Sequence, residues 1–372
     1  MSTIAPTLSI DQAADGAVRF MRDDYLDAGH LNSGLWQSWR DAFGEKMGKM
    51  FPATQVAYVP LAVREHATTT SFGTPAATFN FNVNSTDEVM AVRPARVARP
   101  ILFDITEIDA CGDQAGLTTF FSDRYKMTVA ACERELQQHI VAGGVMAYIT
   151  AVQGGSPVYS FNGIDRSTYG LAEHRAMGAQ TNVLGGFSKA TWASKPQTQN
   201  VLMDVGGAFA SNGLTKMFAL ITKMNKYRRN MKGRRGLITE ACFNNYKRSL
   251  QANERYAAKT EVDGGWMPVF GDVPLYVEEY LPISTVYGGS NSATDPMSLL
   301  IYNANSTYPM WTQGKTLTAN GTTIKIPDGR FGINPLRQLP QGKTWATEVD
   351  IGVNLYTAGF AELGVLIDAE AW

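Results

Sequence analysis

The chain has 372 residues, of which 44% are hydrophobic and 18% charged, and a net charge of −1. That length suits one large domain or two to three lobes. The near-zero charge excludes tight binding of nucleic acid over a large basic surface, which needs a clear positive excess. The low charged fraction fits a surface partly covered by partners.

Three cysteines, Cys111, Cys132 and Cys242, lack paired spacing, as in a reducing compartment. Met1–Pro6 has no basic segment followed by an apolar run, so no secretory leader is expected. No stretch approaches the roughly 18 apolar residues of a membrane span. Three Asn-x-Ser/Thr patterns, at Asn84, Asn305 and Asn320, are therefore taken as chance.

Residues 1–55 form a short, partly helical arm on this reading. Val18, Met21, Tyr25 and Ala28 share a helical face, with Ser9 or Asp11 as cap. Trp36 and Trp39 follow three apart, then Phe43 and Met47, and Pro52 ends the segment.

Residues 56–105 change to strand alternation. Phe79, Phe81 and Val83 alternate with polar residues, Asn84–Asp87 has turn chemistry, and Ile101, Phe103 and Ile105 alternate again. Two arms of about 18 residues would reach roughly 60 Å at about 3.3 Å per residue. A compact chain of this length has a radius of gyration of only about 21 Å. An extended excursion therefore needs another surface to lie on; a hairpin folded onto its own domain is the alternative. Arg93, Arg96 and Arg99 recur every third residue between Pro94 and Pro100. In a polyproline-type segment that period puts all three on one side, either as a charged strand edge or as a stripe for an acidic neighbour.

Asp113–Gly144 predicts one long amphipathic helix. Leu117, Phe120, Phe121, Tyr125, Val129, Cys132, Leu136 and Ile140 keep a three-to-four residue rhythm, with Asp113 as N-cap and Gly143-Gly144 as stop. About 30 residues give roughly 45 Å. Ser122, Asp123, Lys126, Glu133 and Gln137 are assigned to the opposite, polar side. The loop Gly163-Ile164-Asp165-Arg166-Ser167-Thr168 follows. Asp165 and Arg166 are expected to satisfy loop backbone groups and each other, with a catalytic pair as the alternative.

A second helix is predicted from a cap at Ser211, with Leu214, Met217, Phe218, Ile221 and Met224 as its apolar face. It runs into Lys223, Lys226, Arg228, Arg229, Lys232, Arg234 and Arg235, the densest basic patch in the chain. Cations favour a helix C-terminus; a subunit contact or a weak phosphate contact is the alternative. A third helix over residues 239–258 would bury Phe243, Tyr246, Leu250 and Tyr256. Short strands follow at Met267–Phe270, Leu275–Val277, Leu299–Tyr302, Thr322–Ile326, Thr347–Val353 and Ala361–Ile367, with Gly271–Pro274 as a turn. The fold class is α+β.

Chemistry is hard to find. His30, His66, His139 and His174 have no metal-pair spacing, and no Cys-x-x-Cys, nucleophile elbow or phosphate loop is present. Gly185–Lys189 lacks the Gly-Lys-Ser/Thr ending of such a loop. Glu278 and Glu279 are adjacent on a strand and point to opposite faces, a poor acid/base pair. No catalytic residue, cofactor or metal is assigned.

The order of these features resembles the major capsid proteins of tailed double-stranded-DNA bacteriophages, of the Hong Kong ninety-seven type. The resemblance rests on the long polar β-excursion, the long helix ending in Gly-Gly, and Gly163–Thr168, which is similar to the loop after the spine in one branch of that family. It rests also on the helix Leu237–Ala258 followed by Trp266–Tyr276, which resembles a passage of the axial domain. It covers roughly residues 56–370.

The resemblance implies an N-terminal arm (1–55), an extended E-loop (56–105), a peripheral domain with the spine helix (106–180), an axial domain (181–340) and a C-terminal segment returning toward the peripheral domain (341–372). It implies pentamers and hexamers in an icosahedral shell around double-stranded DNA. The other implied partners are a portal, a possible decoration or cement protein, and weak non-specific contact with the packaged DNA, with no membrane. The place is the virion, after synthesis in the host bacterial cytoplasm. The type phage cross-links a lysine of the E-loop, but Phe51–Tyr125 holds no lysine, so a non-covalent shell is expected. The arm is too short for a fused scaffold, so a separate scaffolding protein is expected. Subunit contacts are assigned to Arg93, Arg96, Arg99, Asp165, Arg166, Lys226, Arg228 and Arg229. An encapsulin-like compartment and a soluble α+β enzyme are the alternatives.

Overall fold

The structure, a computed structural model, describes residues 34–44, 48–52, 56–62, 87–92, 94–111, 114–142, 183–184, 187–188, 200–226, 233–252, 259–262, 265–279, 281, 283–284, 295–312, 316–319, 322–325, 332–333, 336–339 and 344–372. The expected helix around Val18–Ala28, the Phe79–Val83 strand, Asp113, Gly143-Gly144 and Tyr256 lie outside these residues.

In chain order the first elements are α1 (Gly34–Phe43), β1 (Lys49–Met50), β2 (Ala57–Ala62), β3 (Asp87–Val92), β4 (Ala95–Asp104), α2 (Ile105–Ala110) and α3 (Gln114–Ala142). Next come β5 (Val183–Leu184), β6 (Phe187–Ser188), β7 (Val201–Asp204), α4 (Phe209–Lys226), β8 (Arg234–Ile238) and α5 (Glu240–Ala252). Strands β9 (Lys259–Val262), β10 (Gly265–Phe270), β11 (Val273–Val277), β12 (Ile283–Ser284), β13 (Asp295–Asn303) and β14 (Thr307–Trp311) follow. The last are β15 (Thr316–Ala319), β16 (Thr322–Lys325), β17 (Gly332–Ile333), β18 (Arg337–Gln338), β19 (Thr344–Thr357) and β20 (Gly364–Ile367). Ala361 belongs to a 3-10 turn, Phe360–Glu362, so the last strand starts at Gly364 and not at Ala361.

The chain divides into two compact units, one of Met1–Gln55, Pro94–Phe161 and Pro309–Asn354, the other of Val56–Arg93, Asn162–Tyr308 and Leu355–Trp372. The first is built on a sheet around β19, which pairs with β4 from Thr344↔Asp104 to Val353↔Ala95 and also with β14, β17 and β18. Helix α3 packs on β4. Phe103 is the centre of that contact, with ring centroids 4.6 Å from Phe121, 5.9 Å from Phe120 and 6.0 Å from Tyr125.

The predicted long helix is present with 29 residues, but its buried stripe is wider than expected. Ser122 and Gln137, assigned to the polar side, are buried with Phe121, Tyr125, Val129 and Cys132. Ser122 precedes Tyr125 by three and Val129 by seven, and Gln137 follows Val129 by eight, all spacings on one helical face. Asp123 and Met127 are exposed on the other side.

The strand expected to run through Ile105 stops at Asp104. Asp104 caps α2 instead: its Oδ1 accepts from Thr106 N–H at 2.8 Å, and Glu107 closes a capping box. In α1, Trp36 stacks on Trp311 at 6.1 Å and Trp39 is fully buried. Gly48 leads into β1 with φ +145°, and a Cβ there would sit 2.5 Å from Pro309 O, so both conformation and space ask for glycine.

The second unit holds a sheet in the order β7-β20-β13-β8-β11-β10-β9, with β12 beside β13. Helices α4 and α5 supply Met217, Leu220, Met224, Cys242, Phe243 and Tyr246 to one core with Leu299, Ile301 and Leu366 of the sheet. Helix α4 begins at Phe209, so Ser211 is an exposed residue inside it and not its cap. Its buried ridge is Phe209, Gly213, Met217, Leu220 and Met224. Phe218, assigned to the apolar face, is 51% exposed and leans on Phe270 at 4.7 Å. Gly213 sets this rotation, because a Cβ there would clash with the Phe209 ring. Leu237, expected to open the third helix, is in β8; α5 starts at Glu240, and Cys242 N–H donates to Thr239 Oγ1 at 3.3 Å. Tyr246 is buried as expected and donates to Val269 O at 3.1 Å.

Candidate subunit-contact surfaces

The ribbon β2–β3 belongs to the second unit and is antiparallel from Ala57↔Val92 to Ala62↔Asp87. Alternation sends Ala57, Val59 and Leu61 to the same face as Met90 and Val92, and all five are buried. Strand β3 packs on β5 and β6. The other face carries Tyr58 at 67% exposure and Val89 at 53%, with Pro60 exposed opposite Val89. This apolar outer face was not singled out from sequence. The signal was Ala57–Ala62 itself, apolar at every position where a half-buried strand would alternate with polar residues.

The predicted arginine stripe is only partly described. Arg93 lies outside the described residues; Arg96 and Arg99 are on β4, in register with Gly352 and Val349. The backbone from Ala95 to Asp104 is strand, not the polyproline segment in which period three would put them on one side. Arg99 is exposed, and Leu102 on the same strand is 54% exposed.

Asp165, Arg166, Arg228 and Arg229 lie outside the described residues. Lys223 and Lys226 are exposed in the last turn of α4. Arg234, expected in the same basic patch, is buried. Strand β8 runs between β11 and β13, and that central place withdraws Arg234 from solvent. Its Nη1 donates to Asn225 Oδ1 at 2.5 Å, while Nε and Nη2 find no acceptor among the described residues. Burial lowers its pKa, and the charge of Glu362 opposes that. Glu362 is itself buried and accepts from Ser306 Oγ.

Other titrating groups are core residues. Burial, with Glu370 adding to it, raises the Cys242 thiol to about 12. Burial also raises Tyr246. Cys111, Cys132 and Cys242 are all free thiols. Glu278 is buried and Glu279 exposed, but β11 ends at Val277, so the two are not on the strand expected for them. His30, His66 and His174 lie outside the described residues, and His139 is on α3. Among the described residues no group of three or more His, Cys, Asp and Glu could hold a metal ion. No described helix is long and apolar enough to cross a membrane.

No family model matches the chain, and no curated protein matches it by sequence. Solved structures do. The capsid of cyanophage A-1(L) is 12% identical over 94% of this chain and 95% of that one, with a TM-score of 0.54. The capsid of an empty GTA particle is 12% identical over 91% and 90%, also at 0.54. The SrpI encapsulin complex of Synechococcus elongatus PCC 7942 is 11% identical over 86% and 84%, at 0.47. The chain has the α+β fold of phage capsid proteins.

Proposed function

We propose that this chain is a non-enzymatic structural subunit that assembles with copies of itself into a phage capsid. The observation that carries the reading is the fold similarity to two capsids across nine-tenths or more of each chain. The exposed apolar face of β2–β3 supports it, because large exposed apolar patches mark interaction sites. In finer detail, pentamers and hexamers form an icosahedral shell around double-stranded DNA. Residues 56–105 act as an E-loop lying on a neighbouring copy, 106–180 as a peripheral domain and 181–340 as an axial domain. Residues 341–372 return toward the peripheral domain. Arg93, Arg96, Arg99, Lys226, Arg228 and Arg229 contribute subunit contacts, and Asp165 and Arg166 brace the loop after the spine. A separate scaffolding protein, a portal and any decoration proteins complete the set of partners, with the shell held non-covalently.

Negative-stain imaging of particles from the natural source tests this. Icosahedral shells with a nuclease-protected genome are expected. Shells filled with protein cargo would favour a nanocompartment, and a small monodisperse oligomer would overturn the reading. After full denaturation a single band at the 40.6 kDa chain mass is expected on a gel; a ladder would overturn the non-covalent shell.

A further inference from the structure

Arg234 carries a positive charge into the interior of the second unit, where it is 3% exposed. Asn225 Oδ1, in the last turn of α4, accepts from Nη1. Nε and Nη2 are buried and meet no acceptor among the described residues. Those two nitrogens form one edge of the planar guanidinium, with two N–H bonds pointing the same way. That edge suits a single oxygen able to accept twice. A buried donor left unmet is unfavourable, and more so on a charged group.

The surroundings say which oxygen. Glu362 is fully buried, and its charge opposes the effect of burial on Arg234. Its Oε2 accepts from Ser306 Oγ, in the turn between β13 and β14. Asn303, also buried, stands opposite Arg234 in the β8–β13 ladder. Asn225 and Ser306 therefore tether the two charges separately, one to the end of α4 and the other to the turn. A second anion at the open edge of Arg234 would face the charge of Glu362 and the negative end of the α4 dipole. A neutral molecule that accepts on one side and donates on the other meets neither penalty.

We propose that one water molecule is bound between Arg234 and Glu362, accepting from Nε–H and Nη2–H of Arg234 and donating to the Glu362 carboxylate. A carboxylate offers about four lone-pair sites, so the bond from Ser306 leaves room for the water. Two accepted bonds and one donated bond match the about three that buried waters make. The bridge joins the last turn of α4, β8, the β13–β14 turn and the 3-10 turn Phe360–Glu362. Every group belongs to one chain, so the site stands apart from the shell reading.

A map of the wild-type protein at a resolution that shows ordered water is the direct test. Density for one water within about 3.2 Å of Nε, Nη2 and a Glu362 oxygen is expected. A direct contact between guanidinium and carboxylate overturns the proposal, as does a site without density. A bound oxyanion also overturns it, and has its own readout. The melting temperature of wild type would then rise with inorganic phosphate at constant ionic strength, while that of Arg234→Met would not. Chemical denaturation supplies the energetic arm. Arg234→Met and Glu362→Leu each leave one buried charge without its counterpart, and each should lower the folding constant by about a hundredfold or more. The double variant removes both charges and should recover most of that loss. Losses that simply add overturn the bridge. The wild-type map decides even where a single variant does not fold.

Discussion

Strand β2 is apolar along its length and β13 from Leu299 to Tyr302, and they end in opposite situations. In β13, Met297, Leu299, Leu300, Ile301 and Tyr302 are all buried, on both faces of the sheet. Its neighbours β8 and β20 pair with it on either side, and α4 and α5 cover one face. Strand β2 buries Ala57, Val59 and Leu61 and leaves Tyr58 and Pro60 outside. A strand apolar on both faces normally lies between two layers. For β13 the layer over Leu299 and Ile301 is α4 and α5 of its own unit. For β2 the outer layer is what the proposed shell would supply from another copy.

The sharpest way to break this comparison is to truncate one residue of each kind. Leu299→Ala in the closed core should cost about 2–5 kcal/mol, from lost transfer energy and the cavity left behind. Tyr58→Ala should change the stability of the isolated subunit by no more than about 0.5 kcal/mol, as surface substitutions do, while assembled mass falls. Chemical denaturation and light scattering separate the two effects. A large stability loss in Tyr58→Ala would mean that its outer face is already covered within the chain.

A second consequence is confined to the core. Cys242 is raised from 9.0 to about 12 in the folded state. An unfolded chain releases the thiol proton near pH 9, whereas the folded chain keeps it. Stability from this group is therefore intact below about pH 9 and falls as the pH rises toward 12, by on the order of 4 kcal/mol at about 1.4 kcal/mol per unit. Tyr246, also raised by burial, adds a loss of the same sign above the ordinary tyrosine range. Cys242→Val should keep stability at neutral pH within about 1.5 kcal/mol and flatten the decline above pH 9 in denaturation curves. An unchanged alkaline slope would remove Cys242 from that account.

Much of the closed architecture was legible in the sequence. The rhythm of Phe121, Tyr125, Val129 and Cys132 marked α3, and Phe243 and Tyr246 marked the buried side of α5. The misses share a physical cause: local pattern cannot say which layer an element enters. Arg234 belonged to a basic run, and only the placing of β8 between β11 and β13 buries it. Of the face expected for α4, Met217 and Met224 are in the core and Leu214 and Ile221 pack against it, while Phe218 is exposed; Gly213, where Phe209 packs, carries no hydrophobic signal and went unread. The arginine period was read as polyproline, although the alternation at Ile101 and Phe103 already described the strand that begins at Ala95. Of the contact candidates, Arg99 and Lys226 are exposed where a partner could reach them. The apolar ribbon face went unread because alternation was sought in polar partners it does not have.

The smallest effect is expected at a surface contact made wholly inside the first unit. Arg124 Nη2 donates to Glu107 Oε1 at 2.6 Å, and the two side chains are 42% and 41% exposed. The guanidinium also lies over the Phe120 ring, 5.4 Å from its centroid. At that exposure solvent screens the pair, so Arg124→Ala should cost less than about 1 kcal/mol, and less still in high salt. Glu107→Ala should cost about 1 kcal/mol more, because it also opens the capping box that starts α2. Arg124 and Tyr58 then form a paired control. Both are surface residues, but the partners of Arg124 are in its own chain, while the face of Tyr58 is assigned to another copy. Loss of Arg124 should lower subunit stability slightly and leave assembled mass unchanged; loss of Tyr58 should do the reverse. If both variants assembled like wild type, exposure of the ribbon would be an ordinary surface feature, and the shell would have to be held by other edges.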